Sequence, residues 1–140
     1  MANQVENISQ YLKSLGLNSL LEDVPGVNDF KRVVINYVGV NMTVDLHLAG
    51  IPSLNMYLFF AYIPKINIAP VFRKLLNLNN LLFAKLFIDE NINAIGMKFQ
   101  RPLEGLDFVE FKWMLDSLGA AFHQHAIPLV NEFQLPQQPV

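Results

Sequence analysis

The chain contains no cysteine, which removes disulfides, thiol nucleophiles and thiolate metal ligands together. Charge is also scarce. Asp, Glu, Lys and Arg make up 16% of the 140 residues, against roughly 25% in an ordinary globular chain. Net charge is −2, and Lys31-Arg32 and Arg73-Lys74 are the only adjacent basic pairs. Nucleic-acid binding normally shows as a basic patch, so no nucleic-acid partner is expected and the two pairs read as solvated surface. The seven glycines are scattered, with neither a G-x-G-x-x-G nor a Walker A sequence, which leaves nothing to cradle a phosphate. Long apolar runs are missing too. The densest, Met56 to Ile63, stops at Pro64-Lys65, far short of the roughly 20 residues that cross a bilayer. The N-terminus, Met1-Ala2-Asn3-Gln4-Val5-Glu6, has no basic flank ahead of an apolar stretch, so no secretory leader is expected. The sequons Asn7-Ile8-Ser9 and Asn41-Met42-Thr43 are then incidental.

What the chain does have is apolar residues, 52% of the total, above the usual 45–50% or so. One domain of this length can build a sufficient core, and the surplus must be buried elsewhere. A subunit or partner interface is the simplest sink. The expectation is a single domain over residues 1–133 and a flexible tail over 134–140, in a soluble, cytoplasmic protein.

Periodicity predicts the order α-β-β-β-α-β-β-α. Val5, Ile8, Leu12 and Leu15 form one stripe of a first helix, which Asn3 is placed to cap and Gly16 to stop. Leu17 to Val24 reads as one more helical turn before the break at Pro25-Gly26. Val33 to Val38 and Met42 to Leu48 read as strands, joined by a tight turn over Gly39 and Asn41. In the second of them Met42, Val44, Leu46 and Leu48 alternate with Thr43, Asp45 and His47, a half-buried antiparallel pattern. Met56 to Ile63 presents Tyr57 and Phe59 on one face and Leu58, Phe60 and Tyr62 on the other, so both faces call for cover. Pro70 suits the first turn of a second helix, whose apolar side is Val71, Phe72, Leu75, Leu76 and Leu78 and which ends on Asn77, Asn79 and Asn80. Phe83 to Ile88 and Ala94 to Gln100 are strands joined by the turn Asp89-Glu90-Asn91. Asp107 with Glu110 three residues on forms a capping-box spacing, with Leu106 and Phe111 placed as its hydrophobic staple. Phe108, Phe111, Leu115, Leu118 and Phe122 continue the last helix, which Pro128 should kink or end.

Candidate chemistry is thin. His123 and His125 form an H-x-H pair, but residues two apart on an α-helix project about 200° apart and cannot share an ion. Asp45 and His47 point to one side of one strand and could act as an acid–base pair, yet Thr43 is the only hydroxyl beside them, so an ordinary polar sheet face is the simpler account. Glu22-Asp23 and Asp89-Glu90 read as solvated turns. No catalytic residue, cofactor or metal ligand is assigned. The aromatic cluster of Tyr57, Phe59, Phe60 and Tyr62 fits core and interface packing, or the wall of a ligand pocket.

Three stretches carry a family resemblance. Phe72-Arg73-Lys74-Leu75-Leu76-Asn77-Leu78-Asn79-Asn80 is similar to the Leu-Asn-rich second helix of the YbjN family. Ala84-Lys85-Leu86-Phe87-Ile88-Asp89-Glu90-Asn91 looks like the strand and acidic turn that follow it. Leu103-Glu104-Gly105-Leu106-Asp107-Phe108-Val109-Glu110-Phe111 resembles the start of its last helix. The similarity spans roughly Phe30 to Phe133. It implies the type III secretion chaperone-like (Tir chaperone-like) fold, an α+β arrangement with an antiparallel sheet, in a bacterial protein. Proteins of this resemblance include homodimeric chaperones that hold an extended effector segment against apolar patches. Dedicated secretion chaperones tend to be distinctly acidic, and this chain at −2 departs from that. The family offers no catalytic motif to carry over.

The expected function is therefore a non-enzymatic protein-binding module, chaperone-like, holding an apolar segment of a partner or pairing with itself as a homodimer. Tyr57, Phe59 and Phe72 are its candidate contact residues. The alternative is a carrier of a small apolar ligand in a pocket lined by the aromatic sheet face. Because cysteine is absent and His123 and His125 cannot converge, the purified protein should bind no metal in stoichiometric amount. Elemental analysis finding one zinc, nickel or iron per chain after dialysis would overturn that expectation.

Overall fold

The computed structural model describes residues 2–138. Its elements run α1 (Ala2–Ser14), β1 (Glu22–Asp23), β2 (Phe30–Tyr37), β3 (Val40–His47), β4 (Ser53–Tyr62), α2 (Ile68–Asn79), β5 (Lys85–Asp89), β6 (Ala94–Pro102) and α3 (Phe108–Ala121). A π-helical segment (Phe122–Ala126) and α4 (Ile127–Phe133) complete the chain. The strands form one antiparallel sheet in the order β1-β2-β3-β4-β6-β5. The expected α+β class and element order hold, with one strand added. By internal contacts the chain divides into two compact units, Met1–Met56 with Phe99–Leu115 and Tyr57–Lys98 with Asp116–Val140.

In the first unit, α1 begins at Ala2, so Asn3 is already helical and cannot be the non-helical cap expected of it. The other end is as read. Gly16 adopts φ +76°, its N–H bonds to the Lys13 carbonyl at 2.9 Å and the Leu17 N–H reaches back to Leu12 at 2.9 Å. Those two bonds are a Schellman closure, which needs a left-handed residue at this point. Closure there excludes the extra helical turn expected over Leu17 to Val24. Glu22 and Asp23 instead pair with Arg32 and Lys31 as edge strand β1, helped by a Lys31–Asp23 ion pair at 2.8 Å. Two exposed acidic residues carry no periodic signal, and only the neighbouring strand reveals them.

The β2–β3 hairpin pairs Phe30↔His47 through Tyr37↔Val40. Its turn is Val38-Gly39, both at positive φ (+45° and +77°), a two-residue connection whose twist matches the strands. Val38 therefore leaves the strand that was expected to include it. Val33, Ile35, Met42, Val44 and Leu46 are buried, while Val34 and Asn36 face out. Phe111, Met114 and Leu115 of α3 are buried in the same unit. Tyr11 sets its ring 5.8 Å from Phe108 and 5.7 Å from Phe111 and donates its hydroxyl to the Leu106 carbonyl at 3.2 Å. At the head of α3, the Asp107 carboxylate accepts the Glu110 N–H at 2.8 Å, and Leu106 and Phe111 are both buried, as a cap and staple require. The Glu110 carboxylate turns to Arg101. That guanidinium also donates to the Pro102 and Glu104 carbonyls, each at 2.6 Å, and so organises the loop into α3.

In the second unit, Leu58, Phe60, Val71, Leu75, Ile95 and Met97 are among the buried side chains. Pro128 does not end the last helix. The turn before it widens to π geometry, with the Ile127 N–H bonded to the Phe122 carbonyl, and α4 continues to Phe133. A π turn absorbs a proline that offers no N–H and crowds the carbonyl four residues back. Beyond α4, Leu135 is 4% exposed and the Pro136 carbonyl accepts the Tyr62 N–H at 2.8 Å. These two residues of the segment expected as a flexible tail are thus anchored, and Pro139 and Val140 lie outside the described residues.

Replacing Asp107 by Ala removes the acceptor for the Glu110 N–H and should destabilise the fold by about 1 kcal/mol, the usual scale for an N-cap. A denaturant midpoint unchanged from wild type would show that this bond contributes nothing.

Candidate protein-binding groove

The groove is built from α2 and β5, both within the second unit. Helix α2 buries Val71, Leu75 and Leu78, residues spaced three and four apart on one face. Phe72 is half-buried beside that face, and Leu76 stays 69% exposed. The apolar stripe is thus wider than the core beneath it, and its surplus edge faces solvent. β5 pairs on one side only, antiparallel to β6, in register Lys85↔Lys98 through Asp89↔Ala94. As a terminal strand of the sheet it presents a free edge, which natural sheets must protect.

Asn79 provides that protection where helix meets strand. Its carboxamide donates to the Leu86 carbonyl at 3.2 Å and accepts the Leu86 N–H at 2.7 Å, filling the two positions a neighbouring strand would occupy. An asparagine at the end of an apolar helix reads in the sequence only as a terminator, so this second role was not visible there. Between the two walls lies an open groove of about 280 Å³, lined by Phe72, Leu75, Leu76, Asn79, Leu86, Phe87 and Ile88.

Phe87 joins this groove to the aromatic face of β4. Its ring centroid lies 6.4 Å from Tyr57 and 5.4 Å from Phe59, which are themselves 5.7 Å apart. The ring can lie there because its cross-strand partner is Gly96. A Cβ at Gly96 would come within 2.7 Å of the Phe87 ring and 2.6 Å of the Leu58 carbonyl oxygen. Glycine inside a strand marks this kind of close approach. The three expected contact residues are therefore gathered around a fourth, Phe87. Tyr57 and Phe59 touch it, and Phe72 shares the groove with it. Sequence reasoning placed Phe87 on a strand and Leu76 on an apolar helix face without selecting either. The available signal was the adjacent Leu75-Leu76 pair, too wide for one buried stripe.

The expectation that both faces of β4 would be covered meets a limit at Phe59, which remains 40% exposed. Phe59 also enters the wall of a second open cleft, about 380 Å³, with Phe60, Phe122, Ile127 and Val130. The other sequence candidates do not assemble into a site. Asp45, 4% exposed, is gripped by Arg32 through two hydrogen bonds of 2.7 and 2.9 Å. His47 sets its ring edge-on to Phe30 at 4.8 Å. The two residues weighed as an acid–base pair and read as an ordinary polar sheet face thus face separate structural partners, and Asp45 is buried rather than on a polar face. His123 and His125 lie in the π segment rather than an α-helix. Among the described residues no cluster of three or more His, Asp or Glu is placed to hold a metal ion, and no helix is long and apolar enough to cross a membrane.

No family model matches the sequence, and none of the curated proteins matches it. Solved structures do. The chain is similar to an uncharacterized protein from Methanothermobacter thermautotrophicus, with a TM-score of 0.68 and 16% identity over 93% of this chain and 99% of that one. It is also similar to a chain of the HopA1-SchA chaperone-effector complex, with a TM-score of 0.58 and 15% identity over 88% of this chain and 94% of that one. The fold is secretion chaperone-like. Likeness at this identity establishes the fold and nothing finer.

Gly96→Ala should lower stability by about 1–3 kcal/mol, the scale of overpacking a filled position, because the ring of Phe87 and the backbone oxygen of Leu58 leave the new methyl no room. Equal denaturant midpoints for wild type and variant would show that ring and strand yield freely, and that Phe87 is not held in place by this contact.

Proposed function

We propose that the chain is a non-enzymatic, cytoplasmic protein-binding module, acting as one domain, that holds an apolar segment of a partner protein in the α2–β5 groove. One observation carries this: an open apolar channel whose outer wall, Leu76, is left 69% exposed beside the half-buried Phe72. Exposed apolar surface of this kind marks interaction sites. The secretion chaperone-like fold supports the same reading, and kinship with bacterial YbjN proteins is its finer form. In the HopA1-SchA structure a chain of this fold belongs to a chaperone-effector complex.

Two other occupants compete. A second copy of the chain would bury the same surface as a homodimer. Light scattering separates the cases, because a monomer has a mass near 15.9 kDa and a dimer twice that. The other is a small apolar ligand, supported by the 380 Å³ cleft that Phe59 helps to line, since ligand pockets start at roughly 300 Å³. A native mass spectrum carrying a bound lipid or similar adduct would favour the carrier.

A photo-reactive residue placed at Leu76 should cross-link to a discrete polypeptide in the native cell extract. The same probe at Val34, which is 59% exposed in the first unit, should not. With the photo-reactive residue moved to the neighbouring exposed Arg73, Leu76→Asp should abolish the capture while leaving the thermal midpoint close to wild type. Equal cross-linking at both positions would defeat the proposal.

A further inference from the structure

Charge around the groove is one-sided. No acidic residue occurs between Asp45 and Asp89, and that stretch contains Lys65, Arg73, Lys74 and Lys85. Two ammonium groups reach the groove's own lining. Lys85 Nζ donates to the Asn79 carbonyl at 3.3 Å, and Lys98 Nζ lies 4.8 Å from the centroid of the Phe87 ring. These lysines are direct cross-strand partners on the β5–β6 ladder, an arrangement in which like charges repel. Neither takes part in an ion pair among the described residues. The acids on this hairpin, Asp89 and Glu90, lie at its turn, where the Asp89 carboxylate accepts the Asn91 N–H. On the helix, Arg73 is exposed three residues before Leu76, a separation that makes them surface neighbours.

We propose that the α2–β5 groove takes a protein segment in which acidic residues accompany the apolar ones, and that Lys85 and Lys98 select it. This rests on the protein-binding reading above and deepens it. The apolar side chains fill the channel along Phe72, Leu76 and Phe87, and carboxylates beside them neutralise the two opposed ammoniums. A second copy of the chain is a poor occupant, because a twofold contact brings the same patch against itself and would set lysines against lysines. Strand addition is also poor at this point, since Asn79 already satisfies the outward N–H and carbonyl of Leu86. The occupant engages through its side chains.

The test uses the full chain and three sets of 12-residue peptides. All share Leu, Ile or Phe at alternating positions, with Glu, Gln or Lys respectively in between. The Glu set should bind roughly tenfold more tightly than the Gln set at low salt, the scale of two surface charge pairs, and the Lys set more weakly still. The advantage should shrink as salt rises and vanish in a Lys85→Gln, Lys98→Gln double variant that still binds the Gln set. Equal binding of all three sets, lost in Leu76→Asp, would overturn the charge selection and leave the protein-binding reading standing. Failure of every set to bind would overturn both. Two further outcomes also refute the proposal: preference for phosphatidylglycerol vesicles over all peptides, or a dimer whose mass collapses in the double lysine variant.

Discussion

Asn79 holds the two walls of the groove together. One carboxamide closes both the donor and the acceptor of Leu86, so the end of α2 stands where the next strand of the sheet would be. The backbone groups concerned belong to an edge strand, and leaving them open invites pairing with other chains. Placing a helix end there has a second effect. The apolar flank of α2 is brought alongside Leu86, Phe87 and Ile88, and an open groove remains between them. Lys85 adds to the junction by donating to the Asn79 carbonyl, one of the helix-end acceptors that lack an intrahelical partner.

Phe87 depends on a different constraint, the missing side chain of Gly96. With Cβ absent, the ring settles over the strand and within reach of Tyr57 and Phe59, in the tilted and edge-on arrangements that aromatic pairs favour. The result is a continuous apolar surface that begins on β4, crosses β5 and ends on α2. Lys85 and Lys98 border it from opposite strands, and Lys98 is steered onto the face of Phe87, where the ring's negative face attracts it. Apolar contact and charge are thus carried by one strand pair, and the proposed recognition of an amphipathic partner would be a local property of the β5–β6 hairpin and α2.

The first unit shows what the same chemistry looks like when it is closed. Arg32 and Asp45 meet across β2 and β3 through a bidentate contact, and the guanidinium also sits 5.2 Å above Phe30. There a buried acid has a basic partner directly opposite on the ladder, so charge is compensated within the chain. On β5 and β6 the equivalent cross-strand position pairs lysine with lysine, and neither is compensated by an ion pair among the described residues. The contrast within one sheet is between a charge pair closed inside the chain and two like charges set opposite one another at the surface.

The order of helices and strands was legible from periodicity, because alternation by two and by three or four is written into neighbouring residues. So were the Gly16 stop and the Asp107 cap, which depend on a few consecutive positions. Tyr57, Phe59 and Phe72 could be chosen as surplus apolar residues for the same reason. Features that rest on distant residues were not legible. β1 exists only because β2 lies beside it, a π turn accommodates the proline expected to kink or end the helix, and Leu135 is buried where a free tail was expected. Nor could the sequence show that Phe87 links the chosen residues, or that Lys85 and Lys98 stand opposite one another. Those facts depend on strand register, and register is set by packing across the whole sheet rather than by any single segment.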